Sequence, residues 1–433
     1  MEFKTKYLFF ILAFGIGTSC LKEVKPLSKD STQPKVDYGI PPFDFGWGNS
    51  KTIKISIGVT NKTNDNDIHV ITVYSANPKL GGNIITKGTA TVNKNFESEI
   101  SIANIYSSLY VEDLSPDLSI VSKEIPLNNS QLVTVFNNKS ISIKTGLGKS
   151  GSNSNPQIDT DNDLVPDSVD DYPTDANKAY NNYYPFKNQY ATLAFEDLWP
   201  YLGDYDLNDV VINYQYNIVT NAANKVVQII GNYTLQATGG SYQNGFGIEF
   251  PINRNQVTDL AGAVLEPNQT KAVAILFSNM RQEMKSYNTI LGQAFSDTVN
   301  YTLSMNVSNG PLISQFGLSA YNPFIWNNTD GFGRGFEVHL PNYSPTNLAN
   351  TNLFETGQDY SNINAGRFYL SKTNEMPWAL NIPVKFDYPI ERNIIHSAYL
   401  KFIPWVQSGG TLYNDWYLNS NGYRDNSKIY VKP

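Results

Sequence analysis

The feature that most limits what this chain can fold into is apolar alternation with a period of two. Ile53, Ile55, Ile57 and Val59 fall on one side of an extended segment, and Lys54, Ser56 and Gly58 fall on the other. Successive side chains of a strand point to opposite faces, so this pattern writes a half-buried strand rather than one stripe of a helix. The pattern returns at Val210, Ile212, Tyr214, Tyr216 and Ile218, which alternate with Val211, Asn213, Gln215 and Asn217. After the turn-type residues 220–224 it returns again at Val227, Ile229, Tyr233 and Leu235. Two such runs joined by a short polar turn predict an antiparallel hairpin. Ile68–Tyr74, Gly88–Val92, Glu99–Ile105, Ser107–Val111 and Gln131–Phe136 are further short candidates, separated by turn clusters such as Asn61–Asp67. The 28 Tyr, 22 Phe and 6 Trp suit half-buried pleated surfaces better than helices. The expected class is all-β. A small N-terminal β-sandwich spans 51–147, a calcium-type acidic linker spans 148–190, and a larger C-terminal antiparallel β-sandwich-like domain spans 191–433. Within the last, Gly245–Pro251 and Gly335–Pro341 share the pattern Gly-Phe-x-apolar-x-apolar-Pro. Both read as strands stopped by a proline, which cannot donate to a ladder.

The N-terminus reads as a processing signal. Lys4 and Lys6 precede an apolar stretch, Tyr7–Ile16, that is too short to cross a bilayer core of about 30 Å as a helix. Gly17, Thr18 and Ser19 then lead into Cys20, an arrangement that resembles a bacterial lipobox. On that resemblance residues 1–20 are a lipoprotein signal peptide, Cys20 is the lipidation site, and 21–50 is a tether. The expected place is the outer membrane, held by acyl chains, with Lys22-Glu23 resembling a surface-export signal. Cys20 is the sole cysteine, so neither an intrachain disulfide nor a cysteine metal cluster can form. A net charge of −7 argues against a nucleic-acid partner, which needs a basic face.

Chemistry concentrates in two acidic segments. The first runs from Asp159 to Asp170. Side-chain oxygens at Asp159, Asp161, Asp163, Asp167 and Asp170, with the carbonyl of Val165, follow the ligand order of a calcium loop. Such closely spaced carboxylates repel one another unless a cation neutralises them. Two features depart from an EF-hand: Leu164 stands where a loop glycine is usual, and no amphipathic helix flanks the run. The bland alternative is a solvated acidic linker. The second segment runs from Phe195 to Asp209, where Asp204, Asp206, Asn208 and Asp209 can converge on an ion around a turn at Gly203. The same side chains could instead cap the following strand. Glu196 with Asp206 or Asp209 is also a conceivable acid–base pair for glycoside hydrolysis.

The stretches Asp161–Asp167, Asp170–Pro173, Phe195–Pro200 and Gly203–Asp209 resemble the start of the LruC-type domain of bacterial lipoproteins. So do Pro377–Leu380, Phe386–Pro389, Ala398-Tyr399, Phe402, Trp405, Ser408–Gly410 and Asp415–Tyr417. The opening run is also similar to a thrombospondin type 3 calcium repeat. The resemblance covers roughly 159–433 and implies a β-rich surface or outer-membrane lipoprotein of a family with no established enzymatic activity.

Trp378, Tyr388, Tyr399, Trp405, Tyr413, Trp416, Tyr417 and Tyr423 could form a sugar-stacking platform, although rings of this kind are more often core. His69, His339 and His396 lack metal-ligand spacing, and no nucleophile-elbow, zinc-protease or phosphate-loop motif is present. The functional expectation is a calcium-stabilised, non-enzymatic envelope lipoprotein that binds a glycan or protein partner. The alternative is a secreted glycan-active hydrolase using a carboxylate pair.

Overall fold

Alternation becomes burial in the first strand, β1 (Ser50–Val59): Ile53, Ile55, Ile57 and Val59 are buried and Lys54 is exposed. The structure, a computed structural model, describes residues 40–432 apart from 43–44, 61–66, 128–129 and 138–157. Cys20, the signal peptide, most of the tether and the 148–157 part of the linker lie outside the described residues. Of the described residues 40% are strand and 9% helix, which makes the fold all-β.

The N-terminal strands are β1, β2 (His69–Tyr74), β3 (Ile84–Ala90), β4 (Phe96–Ala103), β5 (Ser108–Leu114), β6 (Ile120–Pro126) and β7 (Gln131–Phe136). They form a three-stranded sheet, β4-β1-β7, and a four-stranded sheet, β3-β2-β5-β6. The β1–β7 pairing is parallel, from Lys54↔Gln131 to Val59↔Phe136; the other ladders here are antiparallel. β6 was not among the sequence candidates. Its alternation is faint, and Ile120 is exposed at its start.

The second sandwich uses β8 (Tyr180–Tyr184), β9 (Ala191–Phe195), β10 (Val210–Thr220), β11 (Val226–Ala237), β12 (Asn244–Asn253) and β13 (Val257–Ala261). To these it adds β14 (Val264–Leu265), β15 (Lys271–Phe277), β16 (Val299–Val307), β17 (Asn322–Asn327), β18 (Glu337–His339) and β19 (Ala379–Ile382). One sheet runs β13-β16-β11-β10-β9-β19 with β8 also on β10; the other runs β14-β15-β12-β17-β18. The predicted hairpin is β10–β11, paired antiparallel from Val211↔Ala237 to Thr220↔Val226. One edge of β10 serves two strands. β9 covers Val210 to Tyr214 and β8 covers Tyr216 to Thr220. Pro251 does not end β12. The strand continues to Asn253, with a register shift between Phe250 and Asn253 that accommodates a residue without an N–H.

Direct bonds link the sandwiches. Leu318 adds to the outer edge of β4: its N–H donates to Glu99 O (2.8 Å) and its carbonyl accepts from Ser101 N (2.7 Å). An open strand edge is thereby covered. Asn224, in the β10–β11 turn, imitates a strand residue with its side chain. Its Oδ1 accepts from Thr89 N and its Nδ2 donates to Thr89 O, both at 2.9 Å. Gly88 permits this approach, since a Cβ there would lie 2.6 Å from Asn224 Oδ1 and 2.2 Å from the Phe96 ring. The apolar core runs without interruption from Ile53 to Ala379.

The residues following β19 carry short helices and an aromatic cluster. Trp378, Trp405, Trp416 and Tyr399 are fully buried, and Tyr417 nearly so. Trp47 packs against Phe402 and Trp405, and Trp416 Nε1 donates to Asn49 Oδ1 (2.8 Å). These rings are core; Tyr388, Tyr413 and Tyr423 are half-buried.

Candidate metal sites

The 159–170 loop precedes β8 and closes on itself through its own carboxylates. Asp159 accepts from Asn162 N (2.8 Å) and Leu164 N (2.9 Å), and Asp163 Oδ1 accepts from Val165 N (2.8 Å). This leaves one oxygen each from Asp159, Asp161 and Asp163 within 4.8 Å of one another. Asp161 Oδ2, Asp163 Oδ2 and Asp170 Oδ2 are shielded from solvent without a hydrogen-bond partner, and Asp170 is only 8% exposed. Burial, with Asp163 and Asp161 nearby, pushes the Asp170 carboxyl up to about 6. Burial and the neighbouring Asp161 and Asp159 raise Asp163 as well. Leu164 has φ +78°, the left-handed conformation for which calcium loops use glycine, and its side chain is largely exposed. The backbone makes the sharp turn despite the Cβ.

One of the expected residues has other partners. Asp167 accepts from Thr160 N (2.8 Å) and Thr160 Oγ1 (2.6 Å), contacts that lower its carboxyl and lock the loop's base. The Val165 side chain packs in a small core with Val70, Ala179 and Tyr180. The next residue fastens the loop to the body: Asp171 N donates to Ala179 O (2.9 Å), and Lys87 Nζ on β3 reaches Asp171 Oδ1 (3.1 Å).

The second cluster lies in the connection from β9 to β10. Phe195 pairs with Val210, so the residues flanking that pair, Glu196 and Asp209, start the two arms of one turn. Glu196 and Asp206 are 0% and 1% exposed; with the exposed Asp204 each places one oxygen within 4.8 Å of the others. Left-handed backbone at Tyr205 (φ +54°) and Leu207 (φ +55°) brackets Asp206. Glu196 Oε1 accepts from Leu207 N (2.7 Å), while Oε2 is buried without a partner. A Cβ at Gly203 would lie 2.0 Å from that Oε2. Asp206 accepts from Arg392 N (2.6 Å) and Asn208 N (3.2 Å). Burial, then Asp204 and Glu391, push its carboxyl up to about 8. Burial, then Asp206 and Asp204, raise Glu196 well above the usual carboxylate range.

Asp209 and Asn208 turn elsewhere. Asp209 Oδ2 accepts from Asp197 N (2.9 Å), Asn244 Nδ2 donates to Asp197 Oδ2 (2.6 Å), and burial pushes Asp197 up to about 6. Asn208 Nδ2 donates to Pro389 O (3.0 Å), while its Oδ1 is buried without a partner. Sequence spacing therefore brought Asp204 and Asp206 together around an ion, but paired Glu196 with Asp206 only as an acid–base couple and not as a ligand. The available signal was hairpin closure: an acidic residue just after one buried strand must face the residues just before its antiparallel neighbour.

A third buried acid has its counter-charges built in. Glu337, on β18, is fully buried and bonds to His339 Nε2 (2.8 Å), Thr346 N (3.0 Å), Thr346 Oγ1 (2.5 Å) and Arg334 Nη1. Arg334 in turn grips Glu266 through Nε (2.6 Å) and Nη2 (2.7 Å). Burial alone would raise the Glu337 carboxyl, but His339, Arg334 and Thr346 hold it below its ordinary value.

Residues 224–417 match a family model described as Domain of unknown function (DUF4842). Both acidic segments precede the matched span. No curated protein matches the chain. A solved structure described as "Putative lipoprotein from Bacteroides ovatus" is similar at 15% sequence identity with a TM-score of 0.54. The match covers 84% of this chain and 99% of that one, and it shows that the two share a fold.

Proposed function

We propose that this protein is a non-enzymatic cell-envelope lipoprotein. In this reading lipidated Cys20 holds it to the outer membrane. A calcium ion in the 159–170 loop stiffens the β-sandwich body, which binds a glycan or protein partner at the cell surface. The observation that carries the calcium reading is the set of buried, unpartnered oxygens of Asp161, Asp163 and Asp170 around one short loop. Carboxylates enclosed in this way are costly unless paired, and a hard divalent cation accepting six to eight oxygens is the pairing their geometry favours. Asp159, Asp161, Asp163 and Asp170 would hold the ion. Lys87–Asp171 and Asp171–Ala179 carry the effect of ordering the loop into the sheets beside it.

The lipobox-like run to Cys20, the LruC-type resemblance and the description of the Bacteroides ovatus structural neighbour support the anchor. The non-enzymatic reading is supported by Glu196 and Asp206 lying sealed from solvent, where a sugar ring does not reach them. The test is thermal unfolding of the full-length protein in calcium and in chelator. Calcium should raise the melting temperature, and Asp161→Ala or Asp163→Ala should shrink that rise. A rise of the same size in both variants would overturn the loop site. Cys20→Ala should move the protein from the membrane pellet to the soluble fraction. On a glycan array, binding without turnover supports the proposal, whereas hydrolysis abolished by Glu196→Gln supports the hydrolase.

A further inference from the structure

We propose that Glu196, Asp204 and Asp206 form a second divalent-cation site, built into the turn between β9 and β10, with calcium as the ion its oxygen ligands fit. Three observations meet here. One carboxylate oxygen from each residue lies within 4.8 Å of the other two, so a single ion can touch all three. Glu196 is fully buried, and its Oε2 has no hydrogen-bond partner, although Oε1 is held by Leu207 N. The chain also keeps space beside that oxygen: a side chain at Gly203 would overlap Oε2, with Cβ only 2.0 Å away.

The donor set is carboxylate throughout, without nitrogen or sulfur, and this selects a hard cation over zinc or copper. Charge points the same way. Glu391 adds a further acid toward Asp204 and Asp206, while Arg392 faces Asp204. Two carboxylates buried together are favourable when something positive sits between them. Asp204, exposed at the mouth, gives an ion a route from solvent. The alternating left-handed residues Tyr205 and Leu207 fold the arm so that Asp206 turns back toward Glu196. Bound there, the ion would clamp the two arms of the turn where β9 and β10 begin to pair.

The proposal does not rest on an ion in the 159–170 loop, and the experiment separates the two. Calcium bound per chain is measured by equilibrium dialysis on the full-length protein, with terbium luminescence as a second probe. Glu196→Gln should bind one ion fewer than the unaltered protein. Asp204→Asn, a change at an exposed side chain, should do the same and keeps the test valid if the buried variant misfolds. The paired variant Asp161→Ala, Asp163→Ala should retain the ion at the turn. If the Asp204→Asn protein binds as many ions as the unaltered chain, the turn site is overturned. If the paired loop variant loses all bound calcium, the turn site is likewise overturned while the loop stands. If the paired variant loses none and Asp204→Asn loses one, the loop reading fails and the turn site stands.

Discussion

In the 159–170 loop every carboxylate comes from one short stretch of backbone, while in the 196–209 turn Glu196 and Asp206 come from opposite arms of a hairpin connection. The loop sits at the surface, and much of its acid is satisfied by its own N–H groups. The turn is enclosed by sheet and by the segment around Arg392; it too takes backbone N–H bonds, but its unpartnered oxygen belongs to Glu196, which is fully buried. Burial decides how much a bound ion is worth. A cation that settles among the half-buried aspartates of the loop removes a smaller penalty than one that neutralises two fully enclosed carboxylates. Glu337 completes the comparison: it is equally enclosed, but the chain supplies Arg334 and His339 as partners.

The largest effect belongs to that control. Glu337→Gln should destabilise the protein by about 3–5 kcal/mol, equally in calcium and in chelator, because a buried ion pair loses one member. Unequal losses would mean that Glu337 is coupled to an ion. Its folded-state carboxyl lies below the unfolded value, so its stabilisation is present above the usual glutamate range and is lost as pH falls through the lower folded-state value. Chemical denaturation from pH 7 to pH 3 checks this direction.

Next comes Glu196→Gln, whose size should depend on the metal. In chelator it should change stability little, because burial and the neighbouring Asp206 and Asp204 already favour the uncharged form of Glu196. In calcium at about a hundredfold above the dissociation constant it should forfeit about 2.7 kcal/mol of ion-derived stability. A variant that behaves alike in both buffers breaks the proposed contrast between turn and control. Asp161→Ala should show the calcium-dependent loss alone, on the order of 1–2 kcal/mol, measured by urea titration with and without calcium. The smallest effect is Leu164→Gly. It releases a left-handed Cβ worth roughly 1–2 kcal/mol and gives back up to about 1 kcal/mol in backbone entropy. A small gain in melting temperature and tighter calcium binding should follow, and a loss would show that Leu164 contributes contacts beyond its exposed position.

Much of this architecture was legible because period-two alternation survives into the folded state. Ile53 to Val59, Gln131 to Phe136 and the Val210 hairpin sit as strands where the pattern put them. β3 begins four residues before its first expected position, because Ile84 and Ile85 alternate poorly with the residues that follow. Partners distant in sequence were not legible. Nothing in the neighbourhood of Asn224 announces that its side chain will serve Thr89 as a strand would, and nothing beside Leu318 announces the edge of β4. The acidic loop was readable for the reason its partner was not: its ligands are counted along the chain, whereas Glu196 meets Asp206 through the closure of a hairpin.

The bond from Trp416 to Asn49, with Trp47 seated on Phe402 and Trp405, has a consequence for biogenesis. A polypeptide made N-terminus first exposes Trp47 long before the residues that receive it emerge. The segment around Trp47 therefore stays undocked until nearly the whole chain has been made. A prematurely ended copy would keep the Trp47 indole in water, a mark by which quality-control proteolysis could tell it from the finished molecule.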